Sequence, residues 1–414
     1  MKNPLAGGAE VYMQEIFRRI VSQGHEVTQL AVRFPGSTET ETIDGIKVIR
    51  FGGAQTFNFA VWARLNSILK QGKYDIVIDD LNKIPFFSPW FCDRPVLVML
   101  MHVFRKSIFK EASFPLASYV YLTESLIPRC YKNNLFAVLS PSSKRDMQAF
   151  GIRDEQMTVI PPGTDTQRFR SDLSRKGRNL VIHVGRLKRY KSTDYLLHAT
   201  KLLVERGWGQ EDLGVQSANC RVQTAECRVQ SAEYKAQSAE GGARRKDLKV
   251  VIVGDGDDLP RLKALSSELK LDRLVEFTGF IPEQDKVGYY QQAAVLVENS
   301  IKEGWGLIVM EANACGTPVV AARSPGLVDS VNDGETGLLY EYGNVAELAD
   351  KIERLLSDAR LRADMGQKGI AWADKYSWDS AADATLEMIE RTMAQVGDSP
   401  GFPERKAGTV PGTS

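Results

Sequence analysis

Two carboxylates, Glu303 and Glu311, have seven residues between them in the stretch KEGWGLIVMEANACGTPVVAA, around a Gly-Trp-Gly turn. Gly304 and Gly306 let backbone approach a ligand closely. A helix starting near Gly306 presents unbonded N–H groups, and Gly316 stops it before a strand at Pro318–Ala322. An anion at such a helix start is favoured by hydrogen bonds and by the helix dipole together. Carboxylates are poor phosphate ligands but good acceptors for hydroxyl groups. A ligand carrying both phosphate and sugar hydroxyls, such as a nucleotide sugar, suits the set. Taken alone, the same residues also read as one helix-start acid and one solvated helix acid.

Earlier in the chain, HVGRLKRYKS places Arg186 just past a strand ending at Val184, with Lys191 five residues on. Both lie in a strand-to-helix loop. Open α/β sheets bind ligands at the carboxyl ends of their strands, so two cations there can neutralise a diphosphate leaving group as the bond to it breaks. Lys188 and Arg189 of the same loop read as solvated. His102 follows the apolar run Val96–Met101, again at a strand's carboxyl end. His25 and His183 read as structural, and His198 carries no signal. The acidic groups Asp79-Asp80 and Asp255-Gly256-Asp257-Asp258 invite a metal reading, but acids at strand ends are common, and none is expected.

The elements that must position these residues follow from periodicity. Ala9, Met13, Ile16, Phe17 and Ile20 repeat at three and four after Gly7-Gly8, predicting a helix that stops near Gly24. Short runs rich in branched residues follow at Glu26–Val32, Ile46–Phe51, Ile76–Ile78 and Val96–Met101. With helix-length spacers between them, they give the βαβ rhythm of a parallel sheet. A second such series comprises Leu180–Val184, Lys249–Val253, Val275–Thr278, Val295–Val297 and Pro318–Ala322. Helical periodicity returns at Val345–Leu356 and Ser380–Met393.

The expected organisation is a first domain over 1–164, a polar linker at 165–178 and a second domain over 179–378. A helix at 379–396 is expected to pack back on the first domain, with a disordered tail at 397–414. An insertion at 208–247 contains four tandem heptads (GVQSANC, RVQTAEC, RVQSAEY and KAQSAEG) over residues 214–241. Its small seam residues would bury little area, so it reads as a mobile insertion rather than a coiled coil. An α/β unit normally places a strand ahead of its first glycine loop. Only six residues precede Gly7, so the leading strand of the first domain is expected to be missing.

Length, at 414 residues, suits two domains. A formal net charge of +1 and 25% charged residues demand no polyanion, so nucleic acid is not an expected partner. The five cysteines form no CxxC pair and no zinc spacing, which fits a reducing cytoplasm. No run approaches the ~20 apolar residues of a membrane span, and the start lacks a signal-peptide core.

The motifs NPLAGGAEVY, QGHEVT, SPSSKRDMQAFGI, VIPPGTD, VGRLKRYKS, VIVGDGDD, FTGFIP, the Glu-x7-Glu block and DGETGLLY occur in that order. Together they resemble a retaining glycosyltransferase of family 4 (glycosyl transferases group 1) over nearly the whole chain. The resemblance implies an α/β fold of two Rossmann-like domains facing across a cleft, the GT-B fold, and transfer of a sugar from a nucleotide-diphosphate sugar to an acceptor hydroxyl with retention. It implies that Glu311 holds the donor ribose, that Glu303 and His102 sit by the transferred sugar, and that Arg186 and Lys191 grip the diphosphate. Backbone at Trp305, Gly306 and Leu307 would meet phosphate and sugar. Gly254, Phe280 and Ile281 would border the nucleoside, and the Gly7-Gly8 loop would close from the other half. No metal or other cofactor is implied. Departures are the missing strand, Ser192 after the lysine where glycine is usual, and Asn299-Ser300 in place of Pro-Ser.

The expected role is synthesis of a polysaccharide, lipopolysaccharide or glycolipid, with a glycan or lipid-linked acceptor. Aromatic and basic residues mingle in 102–121, where Phe104, Phe109 and Phe114 alternate with Arg105, Lys106 and Lys110. They suit a peripheral contact with the inner face of a membrane, or a solvated face over a core helix. The alternatives left open are a non-catalytic nucleotide-sugar-binding remnant and a nucleotide-sugar hydrolase or epimerase on the same fold.

Overall fold

The structure, a computed structural model, describes residues 7–53, 56–82, 84–110, 112–177, 179–209 and 247–397. The heptad tract at 214–241 and the tail beyond Gly397 lie outside the described residues. Two α/β halves make up the rest.

In the N-terminal half, strands β1 (Thr28–Val32), β2 (Thr40–Ile43) and β3 (Ile46–Phe51) form one sheet in the order β1-β3-β2. Strands β4 (Val77–Asn82), β5 (Val96–His102), β6 (Leu135–Val138) and β7 (Met157–Val159) form a second, parallel sheet in chain order. The single parallel sheet read from the sequence is therefore two among the described residues. Strand β2 was not anticipated. It runs antiparallel to β3, with Ile43 opposite Ile46 across Asp44-Gly45, both at positive φ. A two-residue Asp-Gly loop with that twist is the preferred hairpin closure, so the signal was present.

Side-chain layers, rather than a ladder, join the two sheets. On one side Ile16 and Ile20 of the helix Gly8–Ser22 pack with Ile46 and Val48 of the first sheet and Leu97 and Met99 of the second. On the other, Val61, Leu65 and Leu69 of the helix Phe57–Gln71 meet Leu30, Ile49 and Val77. The long terminal helix Trp378–Gly397 completes the first layer with Ala382, Met388 and Ile389.

Six parallel strands form the C-terminal sheet: β8 (Leu180–Val184), β9 (Lys249–Val253), β10 (Val275–Gly279), β11 (Val295–Glu298), β12 (Val319–Ala322) and β13 (Gly337–Tyr340). Their apolar runs are buried on both faces, as a helix-covered parallel sheet requires. The order is β10-β9-β8-β11-β12-β13, so the direction of winding reverses between β8 and β11. That reversal opens a crevice at the carboxyl ends of those two strands.

The chain crosses between the halves twice at one place. Thr164 N donates to Tyr376 O at 2.8 Å, and a Cβ on Gly163 would lie 2.1 Å from Trp378 N. The segment expected as a polar linker is docked on the C-terminal half. Phe169 is buried in that core, and Lys176 Nζ donates to Tyr290 O at 3.1 Å.

Strand β4 carries a buried carboxyl group, Asp79, and a half-buried one, Asp80. Asp79 Oδ2 accepts from Ser88 Oγ at 2.5 Å and from the Tyr131 hydroxyl at 2.7 Å. Burial, with Asp79 and Glu10 nearby, pushes the Asp80 carboxyl up to about 7. An unfolded aspartate titrates near about 3.9. Between those values the folded chain keeps a proton that the unfolded chain has released. The group's contribution to stability is thus fully present below about pH 4 and is lost as pH rises through about 7. Asp80→Asn is expected to raise the melting temperature more at pH 8 than at pH 5; a difference independent of pH would contradict the assignment.

Candidate active site

The loops after β8 and β11 are neighbours because those strands pair, Leu296 beside Ile182. Ile301 N donates to Tyr190 O at 3.0 Å and ties one loop to the other, while Glu303 N donates to Pro325 O at 2.9 Å and ties them to the loop after β12. Lys191 closes a short 3-10 turn, Arg189–Lys191. Ser192, where glycine is usual in the family resembled, takes left-handed backbone at φ 48° and sets its hydroxyl 2.9 Å from that of Tyr342.

Lys191 is held in this crevice by two carboxylates. Its Nζ donates to Glu303 Oε1 at 2.7 Å and lies 3.7 Å from Glu298 Oε1. Only 11% of the lysine side chain and 19% of that of Glu303 are exposed, so the pair is shielded from bulk water. Burial pulls the ammonium pKa down, but the charges of Glu298 and Glu303 outweigh it and hold it above the usual lysine range. Burial likewise pushes the Glu303 carboxyl up, but the Lys191 charge and hydrogen bond bring it below its ordinary value. Both groups are charged at neutral pH.

Arg186 is exposed on the same loop, and Gly7 of the other half comes up against it. A Cβ on Gly7 would lie 2.4 Å from Arg186 Nη2, so a side chain there would displace the guanidinium. Gly7 N donates to Glu10 Oε2 at 2.7 Å, closing the helix start. A Cβ on Gly8 would lie 3.3 Å from Leu307 Cδ1, and one on Gly304 would lie 2.8 Å from Met101 O, next to His102. His102 is close enough for its charge to favour ionised Glu303. Two further contacts cross the cleft: Lys302 Nζ to Asp146 Oδ2 at 2.6 Å, and Ser142 N to Asp329 Oδ2 at 3.0 Å.

The helix Leu307–Ala314 starts behind Gly306, which is left-handed at φ 106° and so suits glycine. Its first turn follows directly on the loop that carries Glu303, and a helix start favours an anion. Glu311 lies on this helix, its Oε2 accepting from the Tyr290 hydroxyl at 2.7 Å. Burial raises the Glu311 carboxyl above its ordinary value. Gly254 ends β9 so tightly against β8 that a Cβ would fall 1.9 Å from Gly185 O. Beyond β10, Phe280 is 78% exposed and Ile281 is partly buried.

The structure thus sets Arg186, Lys191, Glu303, His102, Gly7, Gly8 and the 305–307 turn around one crevice, with Glu311, Gly254, Phe280 and Ile281 at neighbouring strand ends and on the adjoining helix. Trp305 offers the crevice backbone only, because its ring is buried 5.1 Å from that of Tyr376. Lys188 and Arg189 pair with Asp257 at 2.6 Å and Asp258 at 3.0 Å, which accounts for two of the acids that had invited a metal reading. His183 lies in the core, its ring bonded to Val297 O and the Thr193 hydroxyl. Among the described residues no group of three His, Cys, Asp or Glu side chains is placed to hold an ion. One member of the cluster escaped the sequence reading. Glu298 ends a run of valines and leucine, and nothing in its spacing marks it.

Residues 6–168 match the family model Glycosyltransferase Family 4, and residues 232–372 match Glycosyl transferases group 1. A D-inositol 3-phosphate glycosyltransferase from Corynebacterium jeikeium is 32% identical over 56% of this chain and 51% of its own. The chain therefore spans about half the length of that relative. Sucrose-phosphate synthase from Thermosynechococcus elongatus has the same fold, with a TM-score of 0.74, 19% identity, and 94% of each chain covered. So has Anabaena Alr3699/HepE in complex with UDP, at a TM-score of 0.64, 18% identity, and 93% and 96% covered. The two facing halves are the GT-B fold.

Removing Lys191 leaves two shielded carboxylates without a counter-charge. Lys191→Met is expected to lower unfolding free energy by about 3 to 5 kcal/mol in urea titrations. Adding Glu303→Gln to that variant is expected to recover part of the loss; no recovery would mean that the pair is not coupled.

Proposed function

We propose, for a chain that belongs to the glycosyltransferases of family 4 and group 1, that it transfers a sugar from a nucleotide-diphosphate sugar to an acceptor hydroxyl with retention. The observation that carries this reading is the convergence of Arg186, Lys191, Glu303 and a glycine-led helix start on one crevice between two halves. Arg186 and Lys191 face the position a diphosphate takes at the start of the helix Leu307–Ala314, with its N–H groups adding to the attraction. Glu303 and His102 lie where hydroxyls of the transferred sugar can meet them. Glu311, one oxygen of which already accepts from Tyr290, keeps the other for the ribose.

In the proposed reaction the bond from the anomeric carbon to the diphosphate oxygen breaks, and the acceptor oxygen bonds to that carbon on the same face. The acceptor proton passes to the departing phosphate oxygen. The cations stabilise the charge that grows there, and the closed cleft strengthens the interaction by excluding water. With two cations in place the reading requires no metal. Nucleoside diphosphate in the Anabaena complex supports the class of donor, and the name of the Corynebacterium relative supports a polar, hydroxyl-bearing acceptor. A role in the synthesis of envelope polysaccharide, lipopolysaccharide or glycolipid is consistent with both.

A lipid-linked acceptor at a membrane surface is favoured by one feature. The helix Phe114–Glu124 buries Ala117 and Val120 but turns outward Phe114 (75% exposed), Leu116 (52%) and Leu122 (64%). An apolar face of that kind, following a segment with Arg105, Lys106 and Lys110, suits shallow insertion among anionic headgroups. No helix among the described residues is long and apolar enough to cross a membrane. Flotation with vesicles containing anionic phospholipid is expected to carry the protein at low salt, and Phe114→Ser with Leu122→Ser to abolish it; equal flotation of both would reject the contact.

Donor class is tested by melting the protein with UDP-, GDP- and ADP-sugars, since a ligand of the folded state stabilises by RT ln(1 + [L]/Kd). One base series is expected to raise the melting temperature. Arg186→Ala, which breaks no buried pair, is expected to keep the unliganded melting temperature and to weaken that donor at least about tenfold, the equivalent of about 1.4 kcal/mol. Stabilisation without transfer to any hydroxyl would favour the non-catalytic remnant, and sugar release to water alone the hydrolase.

A further inference from the structure

Glu298 is fully buried at the end of β11, directly beneath the loop that carries Glu303. One oxygen, Oε1, accepts from Ser300 N at 3.1 Å and from the Ser300 hydroxyl. The other, Oε2, is buried with no hydrogen-bond partner. Among the described residues the one cation within 4 Å of the carboxylate is Lys191, at 3.7 Å. The nearby His183 does not compensate it, because burial holds that imidazole neutral at pH 7. A bare carboxylate so far from water is expensive to keep, and Glu303 alone would suffice to orient the lysine. The second anion therefore calls for a role of its own.

We infer that Glu298 is a positioning residue acting through Lys191: a fixed counter-charge that limits how tightly the crevice holds the diphosphate and so speeds release of the nucleoside diphosphate product. The inference rests on the reading of Arg186 and Lys191 as the diphosphate grip. Arg186, Lys191, Glu298 and Glu303 sum to zero charge. The bound donor brings two negative charges and the departing nucleoside diphosphate about three. Repulsion from a buried anion next to the gripping cation grows with ligand charge, and the low dielectric around Glu298 keeps it strong. The product is thereby disfavoured more than the donor, and a monophosphate, with less charge beside the lysine, is disfavoured less. Glu298 touches no reacting atom in this scheme. Ser300, donating through its backbone N–H and its hydroxyl, fixes the carboxylate in place.

The test is calorimetric titration of the full-length protein with UDP, GDP and ADP, then of Glu298→Gln with whichever diphosphate binds. The neutral isostere is expected to tighten the diphosphate roughly tenfold, to change the matching monophosphate less than about threefold, and to slow diphosphate dissociation in stopped-flow displacement. Glu298→Asp, which keeps the charge, is expected to stay near the wild-type affinity. Where Glu298→Gln does not fold, Glu298→Met, an apolar replacement of similar length, is read in its place. Diphosphate affinity that is unchanged or weaker in a folded neutral variant overturns the inference, whatever the melting temperature does. A wild-type protein that binds none of the three diphosphates removes the proposed function itself, and with it this role. Wild-type binding with no effect at Glu298 removes only this role.

Discussion

Everything in the crevice depends on one ammonium group being kept charged where water hardly reaches it. Lys191 sits at the mouth of the C-terminal sheet with 11% of its side chain exposed. Without Glu303 and Glu298 it would be a candidate for losing its proton. With them it becomes a fixed positive charge on a short turn, and the turn is anchored in turn by the Ile301-to-Tyr190 hydrogen bond. The strand order supplies the rest. Because β8 and β11 are neighbours in space but far apart in sequence, a lysine and a glutamate more than a hundred residues apart come to hydrogen-bond distance.

The N-terminal half contributes mainly backbone rather than fixed charge. At Gly7 and Gly304 the two halves come so close that a methyl group would collide, and at Gly8 it would crowd Leu307. Polar contacts beside the crevice, Lys302 with Asp146 and Asp329 with the first turn of the helix Pro141–Ala149, hold the halves in that proximity. A ligand between them would meet a surface assembled from both, with the fixed charges on one side and close-packed main chain on the other.

Much of this was legible in the residues because it rests on local rules. Branched runs with helix-length spacers marked the strands, and glycines flanking Trp305 marked the turn ahead of a helix. What escaped depends on long-range partners. Asp44-Gly45 announced a hairpin, but its flanking strand, Thr40–Ile43, is polar and exposed at alternate positions and so lacks an apolar pattern. The separation of the N-terminal strands into two sheets is decided by packing of Ile16, Ile20, Val61 and Leu65 across them, which no single segment encodes. Phe169 in a mostly polar stretch was a hint that the connecting segment docks on the C-terminal half. Glu298 left no trace at all, since a buried carboxylate is defined by its partner, and Lys191 is far away in sequence.

The double crossing at Thr164 and Tyr376 has a mechanical implication. Both passages of the chain run side by side, bonded to each other, at the base of the cleft, with Gly163 pressed against Trp378. Such a strap resists stretching and sliding but yields to bending, so it works as a fulcrum. The helix Trp378–Gly397, leaving the strap to lie along the helix Gly8–Ser22, serves as the lever arm that ties the fulcrum to the glycine loop. Bending at the strap would therefore move the glycine loop relative to Arg186.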